Sequence, residues 1–358
     1  MKDIIVVGGG IAGVSAAARL SENFSVTLLE AERNLAYHAS GRSAAAFIGD
    51  YGNKTIRDLN KASENFLHTE NGGVLSKRGL LMIANQKQKN QFELESNNFG
   101  LQGILVHEAC IKIPIIDNKV VSFAAFRPDV YDLDTDLLIQ NFLKTALRND
   151  VEVVTDSRVS KIESNKNTWT LISSDKEYKS KIIVNAAGAW ADQIATLASV
   201  KTIGLKALKR SMVRIPAPAN LNVRTWPFLF GTNEDWYARP DAGQLLISPS
   251  EEQLSEPHDA WAEDLVLAAG INRYEKFVTE KVKTITSNWA GLRTFAPDRA
   301  LVIGFDKRIQ NFFWLAGQGG YGFQTAVAAS QLTKDLIMGE TSELNSKVIK
   351  TLSPTRFG

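Results

Sequence analysis

Glycines near the start of the chain carry its clearest chemical signal. Gly8-Gly9-Gly10-Ile11-Ala12-Gly13 follows a short β-branched run at 4–7 and opens a segment, 11–20, in which Ala, Val and Leu recur at helical spacing. This is the G-x-G-x-x-G pattern in the context it requires, strand before and helix after. Gly8 permits the tight turn, Gly10 lets backbone approach a diphosphate, and Gly13 lets the helix pack against the strand. The diphosphate then rests on unpaired N–H groups at the positive end of the helix. A second strand at 25–29 ends at Glu30, 17 residues beyond Gly13, where a carboxylate can accept both hydroxyls of an adenosine ribose. The pattern alone does not choose between NAD and FAD. The stretch at 36–45, AYHASGRSAA, is rich in small residues and lets backbone lie against a large planar ligand; a nicotinamide domain would instead continue to another helix and strand.

A second glycine turn, Gly317-Gln318-Gly319-Gly320-Tyr321-Gly322, lies between a strand at 312–316 and a helix at about 323–338. In isolation such glycines also serve simply to end a strand. Paired with the first motif, they aim a second helix N-terminus at the cofactor, where it stabilises the negative charge of a reduced isoalloxazine. Flavin is therefore the favoured cofactor.

The elements around these turns indicate two domains. The chain has 358 residues, 44% hydrophobic and 22% charged, which excludes disorder as its main state. Its 41 basic and 39 acidic residues leave +2, with no global pull toward nucleic acid or anionic lipid. One cysteine, Cys110, excludes an internal disulfide, and His38, His68, His107 and His258 are too dispersed for a metal site. Gly8, Gly9 and Gly10 interrupt the apolar start, so it does not read as a secretory signal, and no run approaches the ~18 apolar residues that span a bilayer. We expect a cytoplasmic chain with nothing cleaved from its start; peripheral membrane contact stays open.

Helices are expected at 55–68, 86–98, 134–148 (capped by Asp134), 190–197 and 263–282. Strands are expected at 79–84, 120–125 and 151–155, with a meander over 159–178 turning at 165–167 and 173–176, and a return strand at 182–184. The stretch 206–248 is rich in strand formers. Its aromatics, Trp226, Phe228, Phe230, Trp236 and Tyr237, suit a sheet face better than a membrane. The fold class is α/β: a discontinuous Rossmann-like FAD-binding domain (1–78, 134–202 and 286–358), interrupted by a mainly antiparallel β substrate domain (79–133 and 203–285).

The segments IIVVGGGIAGVSAAARL, HASGRSAA, IIVNAAGAWAD, WAGLRTFAPDR, WLAGQGGYGFQT and LSPTRF occur in the order found in the FAD-dependent D-amino-acid oxidase superfamily. Within it they most resemble the D-arginine dehydrogenase type of bacterial D-amino-acid dehydrogenase. The resemblance implies that Gly8, Gly10, Ala12, Gly13, Glu30 and Ala31 hold the ADP half of FAD. It places Arg42, Ser43 and Ala44 along the flavin, Val159 on the adenine side, Gly188 and Trp190 at the cofactor's border, and Gly317, Gly319, Gly320, Tyr321 and Gly322 at the pyrimidine edge. For the substrate, it assigns Arg210 and Arg293 to the α-carboxylate, Tyr51 and Tyr237 to the pocket mouth or carboxylate, and the Gly320 carbonyl to the amine.

The implied activity belongs to amino-acid catabolism: hydride passes from Cα to flavin N5, and the imine hydrolyses to a 2-oxo acid and ammonia. A bidentate arginine fixes the carboxylate in orientation as well as position. The electron acceptor is a quinone, a dye or oxygen. Two other readings are an oxidase or dehydrogenase of glycine or secondary amines such as sarcosine or proline, and a flavoprotein without catalysis. The substrate-matching residues speak against the last. FAD is expected to be noncovalent, since Cys110 lies far from the family's attachment region; His38 is the less remote candidate. Where the D-arginine dehydrogenase type has a glutamate and a histidine, this chain has Leu80 and Ala46, which implies neutral or apolar amino acids rather than cationic ones.

Overall fold

The computed structural model describes residues 1–165, 167–309 and 311–358. The β-branched start forms the strand Lys2–Val7, in parallel register with Val26–Leu29 on one side and with the second half of Lys176–Asn185 on the other. Glu152–Val154 extends this parallel sheet at one end and Phe312–Ala316 at the other. Alternation along the strands supplies both faces. Ile4, Val6 and Leu28 pack beneath the helices Ile11–Leu20, Lys54–Thr69, Thr135–Arg148 and Gly322–Met338. Ile5, Val7 and Leu29 meet Trp169, Trp314 and Ile194 on the opposite face.

The meander is Val159–Asn165, Thr168–Ser173 and the first half of Lys176–Asn185. The separate return strand expected at 182–184 is the continuation of this last, ten-residue strand, which trades its antiparallel neighbour for the parallel Phe312–Ala316 midway. The turn expected at 165–167 includes Lys166, which lies outside the described residues.

The second sheet runs Gln253–Ser255, Lys206–Ile215, Gln244–Ser248, Tyr237–Asp241, Phe228–Gly231, Leu80–Ala84, Phe123–Arg127 and Gln102–Ile104. Ser287–Phe295 joins it by pairing with Lys206–Ile215 through nine successive residue pairs. Residues 287–295, expected beyond the boundary at 286, thus share a sheet with 206–215. Of the aromatics expected on a sheet face, Trp226, Phe228 and Trp236 are buried in this sheet's packing, and Phe230 and Tyr237 are half-buried.

The helix expected over 263–282 spans only Asp264–Glu275. Beyond it Phe277 and Val278 turn into the core, where Asp117 N–H donates to the Phe277 carbonyl and Thr279 N–H to that of Ile115. Burial of that apolar pair outweighs one more helical turn. Among the described residues no helix is long and apolar enough to cross a membrane.

The cap on the helix Thr135–Arg148 is as expected: Asp134 Oδ1 accepts from Leu137 N–H at 2.9 Å. Asp134→Ala is expected to cost about 1 kcal/mol and lower the melting temperature by about 2–4 °C with cofactor content unchanged, as thermal unfolding followed by circular dichroism will show.

Candidate active site

The two sheets meet along one cleft lined by both glycine turns. At the first turn, Gly8 has φ +108°, and a Cβ there would stand 2.5 Å from the Ala186 carbonyl oxygen. A Cβ on Gly13 would fall 1.8 Å from the Gly8 carbonyl oxygen, so no side chain fits where the helix crosses the strand. Gly13 thus shapes the turn from behind, while Gly8, Gly10, Ala12, Glu30 and Ala31 line the cleft. Glu30 is buried, and its carboxylate accepts from Gly9 N–H at 2.5 Å and Glu32 N–H at 2.8 Å, bracing the turn from the end of the second strand.

The second turn is stitched to the other sheet, with Gly319 N–H donating to the Thr294 carbonyl at 2.7 Å. Gly319, Gly320 and Gly322 line the cleft; Gly317 and Tyr321 do not. The Tyr321 ring packs instead against Tyr51 and Phe295.

Register brings the arginines together. Arg210 lies opposite Gly291 and Arg293 opposite Leu208, so the two side chains stand diagonally on one face of adjacent antiparallel strands. Both line the cleft. Arg293 Nη2 donates to Glu252 Oε1 at 2.6 Å, and its Nη1 lies 3.0 Å from where a Cβ on Gly320 would be. Arg210 Nε donates to the Glu251 carbonyl at 2.9 Å. Burial, and then the like charge of Arg210, push the Arg293 guanidinium below its ordinary value.

Tyr51 and Tyr237 also line the cleft. Tyr51 donates its hydroxyl hydrogen to Glu234 at 3.1 Å, and burial, followed by the charge of Glu234, pushes its phenol up. A hydroxyl has one hydrogen, so toward the cleft Tyr51 offers only lone pairs. Of its two expected places, the pocket mouth or the carboxylate, the second is left without a hydrogen to give. Tyr237 donates to Met212 Sδ at 3.4 Å and stacks on Phe230.

Arg42, expected along the flavin, lines the cleft but spends its guanidinium on structure, donating to the carbonyls of Ala260 (2.8 Å) and Ala290 (2.9 Å) and pairing with Asp259. Ser43, Ala44, Val159, Gly188 and Trp190 also line the cleft, the last with its ring beside His38. Leu80 does not: it is fully buried among Ile48, Met82 and Phe228, behind the wall. Its expected contact with a substrate side chain is not met by this placement; the apolar residues that line the cleft here are Ile48, Met212, Phe228 and Phe230.

Glu234 lines the cleft without a recognisable sequence signal, and Thr294 and Gln324, inside the quoted motifs, were not singled out there. Three buried polar atoms of cleft residues have no hydrogen-bond partner among the described residues: Arg293 Nε, Thr294 Oγ1 and Gln324 Nε2. Gln324 is held by Ile48 N–H on its oxygen, which leaves its amide donors for a ligand. Orphaned donors of this kind fit a polar-edged ring held between the second glycine turn and the arginines.

The family profile for DAO, FAD dependent oxidoreductase, matches residues 3–336. The chain belongs to the DAO family of FAD-dependent oxidoreductases. It is 24% identical over 214 residues to hydrogen cyanide synthase subunit HcnC of Pseudomonas aeruginosa, covering 58% of this chain and 49% of that one. The chain thus spans about half the length of that relative. Its fold is similar to glycine oxidase from Geobacillus kaustophilus (TM-score 0.83, 18% identity, 99% and 98% of the two chains). It is likewise similar to L-proline dehydrogenase from P. horikoshii (TM-score 0.84, 21% identity, 99% and 97%).

A Cβ at Gly13 cannot be accommodated without moving the first turn. Gly13→Ala is expected to purify with little FAD, read as a loss of 450 nm absorbance relative to 280 nm; full flavin content would show that the turn does not hold the cofactor.

Proposed function

We propose that this protein is an FAD-dependent dehydrogenase or oxidase of α-amino acids, of the D-series, with neutral or apolar side chains. The observation that carries this reading is the pairing of Arg210 and Arg293 on one sheet face beside Gly320, two guanidinium groups where one carboxylate can bridge them. FAD, when bound, supplies a two-electron acceptor for the hydride that leaves Cα. In this reading Gly8, Gly10, Ala12, Glu30 and Ala31 hold its ADP half, while Gly319, Gly320 and Gly322 border the flavin with Thr294 and Gln324.

The arginines fix the substrate carboxylate, and the Gly320 carbonyl accepts an N–H of the neutral amine. The amine lone pair then drives departure of the Cα hydride, the C–N bond becomes an imine, and water hydrolyses it to a 2-oxo acid and ammonia. A quinone, a dye or oxygen takes the electrons. The lone pairs of Tyr51 can accept from the amine or its ordered water. The D-series rests on the resemblance of the motifs to the D-arginine dehydrogenase type. The apolar preference rests on Ile48, Met212, Phe228 and Phe230, each methylene buried there contributing about 0.8 kcal/mol. FAD is proposed to be noncovalent, because Cys110 packs in the second sheet's core near the Ile116 carbonyl.

Anaerobic mixing with D-Leu, D-Met, D-Phe, D-Arg, D-Lys, L-Pro and sarcosine is expected to bleach the flavin fastest with the apolar D-amino acids. Fastest bleaching by L-Pro or sarcosine moves the assignment to secondary amines, and preference for D-Arg sinks the apolar assignment. Acid precipitation should leave the yellow chromophore in the supernatant.

Arg293→Lys replaces a planar two-point donor by a point charge. It is expected to retain FAD and to lower kcat/KM by ~10- to 150-fold, the worth of one charged hydrogen bond. An unchanged kcat/KM would take Arg293 out of the site.

A further inference from the structure

Glu252 sits at the centre of three guanidinium groups delivered by different parts of the chain. Its Oε1 accepts from Arg293 Nη2 at 2.6 Å and from Arg299 Nη2 at 2.9 Å, with Arg210 Nη2 at 3.9 Å. Arg210 and Arg293 line the cleft; Glu252 is not among the lining residues. Whatever Glu252 does to a ligand, it does through the arginines.

Its placement is built into the backbone. The linker between the strands Gln244–Ser248 and Gln253–Ser255 is pinned at three points. Arg273 Nη2 donates to the Pro249 carbonyl at 2.7 Å, Ser250 N–H to Ser248 Oγ at 3.1 Å, and Arg210 Nε to the Glu251 carbonyl at 2.9 Å. Ser250 takes φ +57°, the conformation that turns the chain so that Glu252 meets the arginines. Arg210 therefore holds the backbone that presents the carboxylate, and the carboxylate holds Arg293.

The charges need this arrangement. Three cations converge, and the like charge of Arg210 already disfavours the protonated state of Arg293. Burial raises the Glu252 carboxyl, but the Arg299 hydrogen bond and the surrounding guanidinium charges outweigh it and hold it below its ordinary value. With Nη2 committed to Glu252, rotation of the Arg293 plane is fixed. Nη1 then lies toward Gly320, and the buried Nε has no partner among the described residues.

We propose that Glu252 is a positioning residue for carboxylate recognition: it locks the guanidinium plane of Arg293 and holds Arg210 and Arg293 together against their repulsion. This rests on the reading of Arg293 as the carboxylate's partner. The residual charge of three arginines and one glutamate still attracts an anion, so Glu252 sets geometry without filling the place of the ligand.

The test uses the FAD-loaded protein and benzoate, a carboxylate with no oxidisable amine, whose binding is followed by the change in the visible flavin spectrum. Glu252→Gln is expected to raise the benzoate Kd about tenfold, the lower end for a charged hydrogen bond because the pair is partly exposed. With the preferred amino acid, KM is expected to rise by a similar factor while kcat stays within about threefold. Glu252→Asp, which keeps the charge, should fall between the wild type and Glu252→Gln. Unchanged or tighter benzoate binding in Glu252→Gln overturns the proposal, as does an Asp variant no better than Gln. If Glu252→Gln loses its cofactor or fold, the comparison of Glu252→Asp with the wild type decides: a Kd equal to the wild type's overturns the proposal, and a modest rise supports it. Arg293→Lys in the same titration separates the two readings: no change there removes Arg293 from carboxylate binding, whereas weakening there with none in Glu252→Gln removes only the positioning role.

Discussion

The site depends on one pairing, the nine-residue zip between Lys206–Ile215 and Ser287–Phe295. Its register sets Arg210 and Arg293 on the same face, and a slip of one residue would turn one of them to the other side. The same strand ends at Thr294 and Phe295, where the Thr294 carbonyl receives Gly319 N–H and the Phe295 ring lies 2.3 Å from where a Cβ on Gly319 would be. The strand that carries an arginine thus also fixes the second glycine turn. Through that turn it fixes the start of the helix Gly322–Met338, which packs on the first helix of the nucleotide domain.

This coupling explains why cationic side chains can sit in a largely apolar cleft. An isolated guanidinium there would be costly. The Arg293 side chain is 18% exposed and that of Arg210 16%, and each meets an internal acceptor, Glu252 for one and the Glu251 carbonyl for the other. The acceptors satisfy part of each fork, and the donors that remain face the cleft. An anionic ligand with two oxygens meets the remaining demand better than a neutral one.

The N-terminal motif was fully legible, because each of its residues answers a separate steric demand that sequence displays: a β-branched strand, glycines at fixed offsets and an acid at the end of the next strand. The strand Phe312–Ala316 and the Asp134 cap were equally plain. The second sheet was legible only as strand-rich, since pairing partners such as 206–215 and 287–295 are separated by four other strands and a helix. That distance put the expected boundary at 286, between two strands that pair with one another. Leu80 shows the same limit within a strand. Its type fits a pocket wall, but the parallel pairing with Phe228 buries it one layer behind.

Glu234 and Glu252 escaped sequence reading for a related reason. Both owe their positions to side chains distant in sequence. The turn that presents Glu234 has φ +63° at Asn233 and +47° at Glu234, and it is held by Glu95, whose two carboxylate oxygens accept from Asn233 N–H at 2.9 and 3.0 Å. Glu95 is buried on the helix Lys89–Asn98; burial raises its carboxyl, and the hydrogen bonds from Gln91 and Asn233 oppose that in part. Glu234 then fixes the hydroxyl of Tyr51, as Glu252 fixes Arg293. In each case a carboxylate settles which hydrogen-bonding face a lining residue turns to the cleft: lone pairs at Tyr51, N–H donors at Arg293.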